Sequence, residues 1–167
     1  TTASILAHIL SETGYGCNAF LGGIAANYNS NVVFDAESKT VVVEADEYDR
    51  SFLELFPDVA VVTSMDADHL DLYGEKEHRD ESFHLFVSQI KTGGNLFRKI
   101  GLNLKGGTTY SINAEANYQA TEIRVENGAF VFNLQHPKGT LSDVEVGLPG
   151  IHNIENAIAA FAVASEL

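Results

Sequence analysis

The sequence predicts an α/β fold: a mostly parallel sheet flanked by helices, with a small antiparallel three-stranded sheet attached. Three observations predict it. Val41–Val43 and Val59–Val62 are unbroken apolar runs, as in strands covered on both faces of a parallel sheet. Apolar residues at helical spacing follow at Phe83, Phe86, Val87 and Ile90, and again at Ile154, Ala157, Ile158, Phe161 and Ala162. Between them, residues alternate apolar and polar on either side of Asn127-Gly128, the strongest short-range hairpin signal.

The elements follow in order. Thr1 to Thr13 reads as a helix with Ile5, Leu6, Ile9 and Leu10 on one face, and Gly14 is a natural stop. A helix opening on threonines often follows a phosphate-binding loop, whose hydroxyl residue comes just after a lysine. The sequence holds neither that lysine nor the glycine loop, so an ordinary capping threonine explains these two residues. Gly16 to Gly23 is a glycine-bounded apolar run, read as a strand and turn. Asn27 to Asn31 is a polar loop, Val32 to Ala36 a short strand, and Asp35 to Lys39 a turn into the first valine run. Glu75 to Ile90 reads as a helix ended by Thr92-Gly93-Gly94-Asn95, with His78 and His84 as surface or boundary histidines rather than ligands. Leu96 to Leu104 and Thr108 to Ile112 read as two further strands. Glu122 to Leu134 is the hairpin, and Leu141 to Leu148 adds its third strand. Leu148-Pro149-Gly150 makes a sharp entry to the last helix.

Each valine run ends in acid. The first breaks into Glu44-Ala45-Asp46-Glu47, and the second runs on to Asp66-Ala67-Asp68-His69-Leu70-Asp71. Ligands gather beyond the carboxyl ends of parallel strands. Carboxylate oxygen suits Mg²⁺, and imidazole can complete a shell. One such cluster is ordinary strand-end solvation; two in the same setting make a candidate metal site. In the last helix, Asn153 and Asn156 are three residues apart and share a face, where side-chain amides suit a nucleobase edge. Asn153 as a helix cap explains its position equally well.

Composition bounds the rest. A chain of 167 residues, 45% hydrophobic, suits one domain spanning 1–167, with the antiparallel strands a subsheet at 118–148. With 10 basic and 23 acidic residues the net charge is −13, which argues against nucleic acid and anionic membrane as partners. No apolar run approaches the ~20 residues of a membrane span. No basic region precedes the apolar residues at the start, so no signal peptide is read there. The single cysteine, Cys17, fits a reducing compartment.

Three stretches, VVVEADEYDRSFLEL, VAVVTSMDADHLDLYG and LPGIHNIENAIAA, stand in an order and at separations that resemble the Mur ligase family, specifically its central ATP-binding domain. The resemblance spans nearly the whole chain. EADE and DADHLD point to the branch of the family that acts on UDP-N-acetylmuramate and L-alanine. A relative that recycles murein tripeptide carries an EADEYD-like run and is the nearest rival. What the resemblance implies is a bacterial, cytoplasmic step of peptidoglycan synthesis. ATP phosphorylates the muramate carboxylate to an acyl phosphate, and the alanine amine then attacks it. It further implies that Glu44 and His69 are catalytic metal ligands holding Mg²⁺ (or Mn²⁺). Asp46, Asp68 and Asp71 would support them from behind, Asp71 by orienting His69. His152, Asn153 and Asn156 match the family's adenine and ribose contacts.

The family's G-x-x-G-K-T loop, which precedes the first helix, is not in this sequence; Thr1-Thr2 look like the threonines trailing it, and the strand leading into that loop is missing too. The family's N-terminal domain, which grips UDP, and its C-terminal domain, which brings alanine, are also outside the chain. The isolated chain is therefore expected to lack ligase activity and to bind ATP weakly. Two other readings of the same residues are a different Mg²⁺-dependent enzyme, such as a phosphohydrolase, and a non-catalytic fragment or binding module. The first has no use for the His-Asn-x-x-Asn helix entry.

Overall fold

The computed structural model describes residues 1–46, 50–65 and 76–167. Helix α1 (Thr2–Glu12) buries Leu6, Ala7 and Leu10 and ends at Thr13, after which Gly14 takes a left-handed φ of 77°. Strand β1 (Asn18–Ala25) turns Ala19 and Leu21 inward, and β2 (Ser30–Val33) returns antiparallel to it. Strand β3 (Val41–Val43) pairs parallel with β1. These strands form a three-stranded sheet in the order β2-β1-β3. A 3₁₀ turn at Ser51–Glu54 leads to β4 (Val59–Val62), and helix α2 (Lys76–Ser88) precedes β5 (Asn95–Lys99) and β6 (Thr108–Ser111). Strands β7 (Tyr118–Glu126), β8 (Ala129–His136) and β9 (Gly139–Val146) follow, and α3 (His152–Ala164) closes the chain.

The second sheet runs β4-β5-β6-β7-β8-β9. Its pairs are parallel from β4 to β7 and antiparallel from β7 to β9. The fold class is thus the expected one, mostly parallel strands flanked by helices, but the separate three-stranded sheet is β2-β1-β3, not the antiparallel set expected at 118–148. Two details differ. The antiparallel strands are a continuation of the parallel set, because β7 pairs with β6 on one side and β8 on the other. The two valine runs lie in different sheets among the described residues. Only Val42 of β3 is buried; Val41 and Val43 face out. In register with Val43, Phe20 is 54% exposed, so one face of the three-stranded sheet is apolar and uncovered. An unbroken apolar run does not by itself report cover on both sides.

Element ends moved by a few residues. β5 stops at Lys99, short of the expected Leu104, because the chain turns at Gly101 with a φ of 87°. The hairpin turn is as expected: Asn127 and Gly128 both have positive φ, 50° and 85°, the geometry that matches strand twist in a two-residue loop. Two bulges were not legible. The β7–β8 register shifts between Thr121 and Arg124, and the β8–β9 register between Phe132 and Leu134, with Glu122 and Asp143 in left-handed conformations.

The main core lies where α1 and α3 pack on the sheets. Leu6, Leu10, Leu21, Val42, Phe97, Tyr110, Phe132, Ile154 and Ile158 meet there. Alanines at 159, 160 and 162, all fully buried, let α3 lie close to its neighbours. A second cluster joins Phe52, Ala60, Val62, Met65, Phe86 and Leu96 under α2. Phe52 anchors it, with ring centres 5.5 Å from Phe83 and 5.3 Å from Phe86. This cluster fixes where β4 ends, and so where the chain enters the second acidic run.

Candidate functional site

Three elements meet at one end of the molecule. The carboxyl end of β3 supplies Glu44, α1 supplies its first residues, and α3 supplies its first turn. Glu44 is held by its own backbone, which donates from its N–H to the Phe20 carbonyl at 2.9 Å and extends the β1–β3 ladder by one residue. Its side chain accepts two hydrogen bonds. Oε1 takes one from the Thr1 ammonium at 2.8 Å, and Oε2 takes one from the Gly22 N–H at 3.0 Å. Partial burial pushes the Glu44 carboxyl up. The hydrogen bond and charge of the Thr1 ammonium, with the Gly22 N–H, outweigh that and hold it below the usual carboxylate range. The Glu44 carboxylate offers hard oxygen donors of the kind a divalent cation takes.

Asp46 is exposed, and its backbone carbonyl receives the Ser51 hydroxyl and the Phe52 N–H, both at 3.3 Å. These bonds tie the acidic turn to the 3₁₀ turn that buries Phe52. His69, Asp68 and Asp71 lie outside the described residues. Among the described residues no group of three or more potential metal ligands gathers.

The turn entering α3 is built on Gly150, whose φ of 90° favours glycine. A Cβ there would come within 2.4 Å of His152 Cε1, so the His152 ring lies directly against the bare glycine. His152 itself is exposed. Asn153 is buried, at 7% exposure. Its amide nitrogen donates to the Pro149 carbonyl at 2.7 Å, and its Oδ1 accepts from Asn156 Nδ2 at 3.0 Å. Asn156 Oδ1 in turn accepts from the Thr2 hydroxyl at 2.8 Å. Both asparagines thus spend polar atoms on the protein itself. Asn153 does not act as the N-cap; Ile151 holds that position, and Asn153 instead clamps the entry loop from inside the helix.

Of the residues singled out from sequence, the structure brings Glu44, Asn153 and Asn156 to the same end through α1: Thr1 bonds Glu44 and Thr2 bonds Asn156. Asp46 stands close by in sequence but turns to solvent. His84 is exposed on α2, as a surface histidine should be. Sequence reasoning missed three participants. Thr2, whose setting in the sequence fits a capping threonine or the end of a phosphate-binding loop, links α1 to α3. Gly22 supplies an N–H that only strand pairing could reveal. Lys99, at the end of β5, pairs with Glu155 at 2.7 Å across 56 positions of sequence, and no local pattern signals it.

The Mur ligase middle domain model matches residues 1–164. The chain is 48% identical over 166 residues to UDP-N-acetylmuramate–L-alanine ligase of Christiangramia forsetii, covering 99% of this chain and 36% of that protein. The chain therefore spans about a third of the length of such relatives. Among solved structures, UDP-N-acetylmuramate-alanine ligase from Thermotoga maritima matches with a TM-score of 0.82 at 21% identity, over 99% of this chain and 38% of that one. UDP-N-acetylmuramate:L-alanyl-γ-D-glutamyl-meso-diaminopimelate ligase from Neisseria meningitides matches with a TM-score of 0.80 at 25% identity, over 98% of this chain and 57% of that one.

Proposed function

The chain belongs to the Mur ligase family as its middle domain, and from that premise we propose that the protein carrying it joins L-alanine to UDP-N-acetylmuramate, converting ATP to ADP and phosphate. The observation that carries this reading is the meeting of Glu44, the start of α1 and the first turn of α3 at one end of the molecule. The 48% identity to an alanine-adding relative favours that substrate pair over the tripeptide pair of the Neisseria ligase.

The chemistry fits the parts. A muramate carboxylate oxygen attacks the γ-phosphorus of ATP, the bond to the β–γ bridging oxygen breaks, and ADP leaves. The neutral alanine amine then attacks the acyl carbon, phosphate departs with the C–O bond pair, and the nitrogen loses a proton. Such a reaction needs positioning and charge neutralisation more than covalent help from the protein. The N–H groups at the start of α1 and the dipole of that helix favour phosphate at this end. His152 offers an exposed ring beside the turn, suited to the face of an adenine. Asn153 and Asn156 hold that turn in place.

Glu44 and His69 would hold Mg²⁺ or Mn²⁺, with Asp46, Asp68 and Asp71 around them. Held by these residues, such a cation would supply charge neutralisation for phosphoryl transfer. The remaining two thirds of the protein would supply the grip on UDP and the alanine pocket. Its substrates, made and used with ATP, would place it in the bacterial cytoplasm. Among the described residues no helix is long and apolar enough to cross a membrane.

The test is product formation by the whole protein from ATP, UDP-N-acetylmuramate and either L-alanine or the L-alanyl-γ-D-glutamyl-meso-diaminopimelate tripeptide. Amide formation with L-alanine is expected. Turnover with the tripeptide alone would move the protein to the recycling branch, and phosphate release that needs no amine would point to a phosphohydrolase.

A further inference from the structure

We infer that the Lys99–Glu155 ion pair is a strut that sets the first turn of α3 against the sheet, making both side chains positioning residues for the nucleotide. This rests on the reading of that turn as the nucleotide's seat. Lys99 is the last residue of β5, and Glu155 is the fourth of α3. Lys99 Nζ donates to Glu155 Oε2 at 2.7 Å, and the Glu155 side chain is only 15% exposed. Glu155 lies three positions after His152, so the two share a face of the helix. A shift of Glu155 is therefore transmitted to the exposed ring beside the turn.

The turn is held from three directions. Asn153 ties it to the entry loop through the Pro149 carbonyl, and Asn156 ties it to α1 through Thr2. Lys99 is the tie to the sheet, and the ionic one. The rest of α3 packs by apolar contact, with Ile154, Ile158, Ala159, Ala160 and Ala162 in the core, so the pair is the charged contact that fixes its first turn to β5. Beneath the pair sits Tyr110, 1% exposed, with its hydroxyl donating to the Val62 carbonyl at 3.4 Å. Burial raises the Tyr110 phenol far above its ordinary value, and the negative charge of Glu155 raises it further, so it stays neutral. A neutral phenol cannot balance Glu155. Without Lys99 that carboxylate would be left mostly buried and uncompensated, and it would swing toward water, carrying the turn with it.

The test uses the whole protein that carries this domain, with Mg-ATP binding by calorimetry and steady-state kinetics. Lys99→Met and Glu155→Gln are each expected to raise the Kd and KM for ATP by about tenfold, as coupled contacts do. The KM for L-alanine and kcat should stay within about twofold, a split that plain loss of stability would not give. Lys99→Arg, which keeps the charge, should behave as wild type, and the exchange K99E/E155K should recover part of the lost affinity. ATP affinity unchanged in both single variants, or lost equally for every substrate, would overturn the strut. If Lys99→Met or Glu155→Gln does not fold, Lys99→Arg and the exchange decide. A Lys99→Arg protein that binds ATP tenfold more weakly contradicts the inference. A wild-type protein that binds no Mg-ATP overturns the nucleotide reading itself.

Discussion

The end of the molecule that carries Glu44 and the arm built from β7, β8 and β9 are held by opposite kinds of contact. At the site end, single side chains bridge distant stretches: Thr2 to Asn156 across 154 positions and Lys99 to Glu155 across 56. In the arm, neighbouring strands pair backbone to backbone through a two-residue turn. Asn133 of β8 steadies both bulges, donating to Glu122 Oε2 at 2.7 Å and accepting from the Asp143 N–H at 3.1 Å. Most of β9 is exposed, and Arg124 reaches Glu126 and Asp143 in open solvent. Local contacts are redundant, so the arm should tolerate change. Long-range single contacts are not, so the site end should fail at one residue.

The largest expected difference is in turnover. Glu44→Ala in the whole protein should lower kcat by about a thousandfold or more, as loss of a metal ligand does, while the circular dichroism spectrum stays native. Arg124→Ala in the arm should leave both unchanged. Ordinary turnover in Glu44→Ala would remove Glu44 from the chemistry and erase the contrast.

The next effect divides the arm itself. Phe132 is buried at 1% and joins the main core, whereas Val125 on the same hairpin is 65% exposed. Phe132→Ala should destabilise by about 3–5 kcal/mol, and Val125→Ala by no more than about 0.5 kcal/mol. Urea unfolding of both variants checks it, and equal effects would mean that the arm is not peripheral.

That division also marks what the sequence could convey. The hairpin was legible because Asn127-Gly128 and the alternating residues around it are adjacent in the chain. The helices α1 and α3 were legible from their apolar spacing, and the place of Glu44 at the carboxyl end of β3 from the valine run before it. The exposed outer face of β3 was not legible, because a valine run looks the same whether or not something covers it. Nor were the bulges, since Glu122 and Asp143 have no unusual neighbours. At the site, Asn153 and Asn156 were picked out as ligand contacts by type and spacing. Their bonds to Pro149, to each other and to Thr2 depend on how α1 packs on α3, which no local pattern encodes. Thr2 and Lys99 were missed for the same reason.

A smaller effect should isolate the link between α1 and α3. Thr2→Val should cost about 1 kcal/mol, the net worth of one hydrogen bond, and Asn156→Ala, which also removes the bond to Asn153, about 2 kcal/mol. The double variant should be little worse than the weaker single one, because both remove the same link. Thermal unfolding of the three proteins measures it; full additivity would mean that Thr2 and Asn156 act separately.

The smallest effect is on pH. The Glu44 carboxyl is held below its ordinary value of 4.5 in the folded chain, so its contribution to stability is present above that value. It is lost as pH falls through the lower folded value. In the 167-residue chain, Glu44→Gln should flatten the acid limb of stability against pH, and an unaltered acid limb would show that the Thr1 and Gly22 contacts do not bind the charged form preferentially.

Hydrogen–deuterium exchange of the whole protein, with and without Mg-ATP, tests the contrast most directly. Added nucleotide should slow exchange in the first turn of α1 and across residues 150–157, and leave residues 118–146 of the arm unchanged. Slowing in the arm, or in neither α1 nor the α3 turn, would contradict the placement of the site.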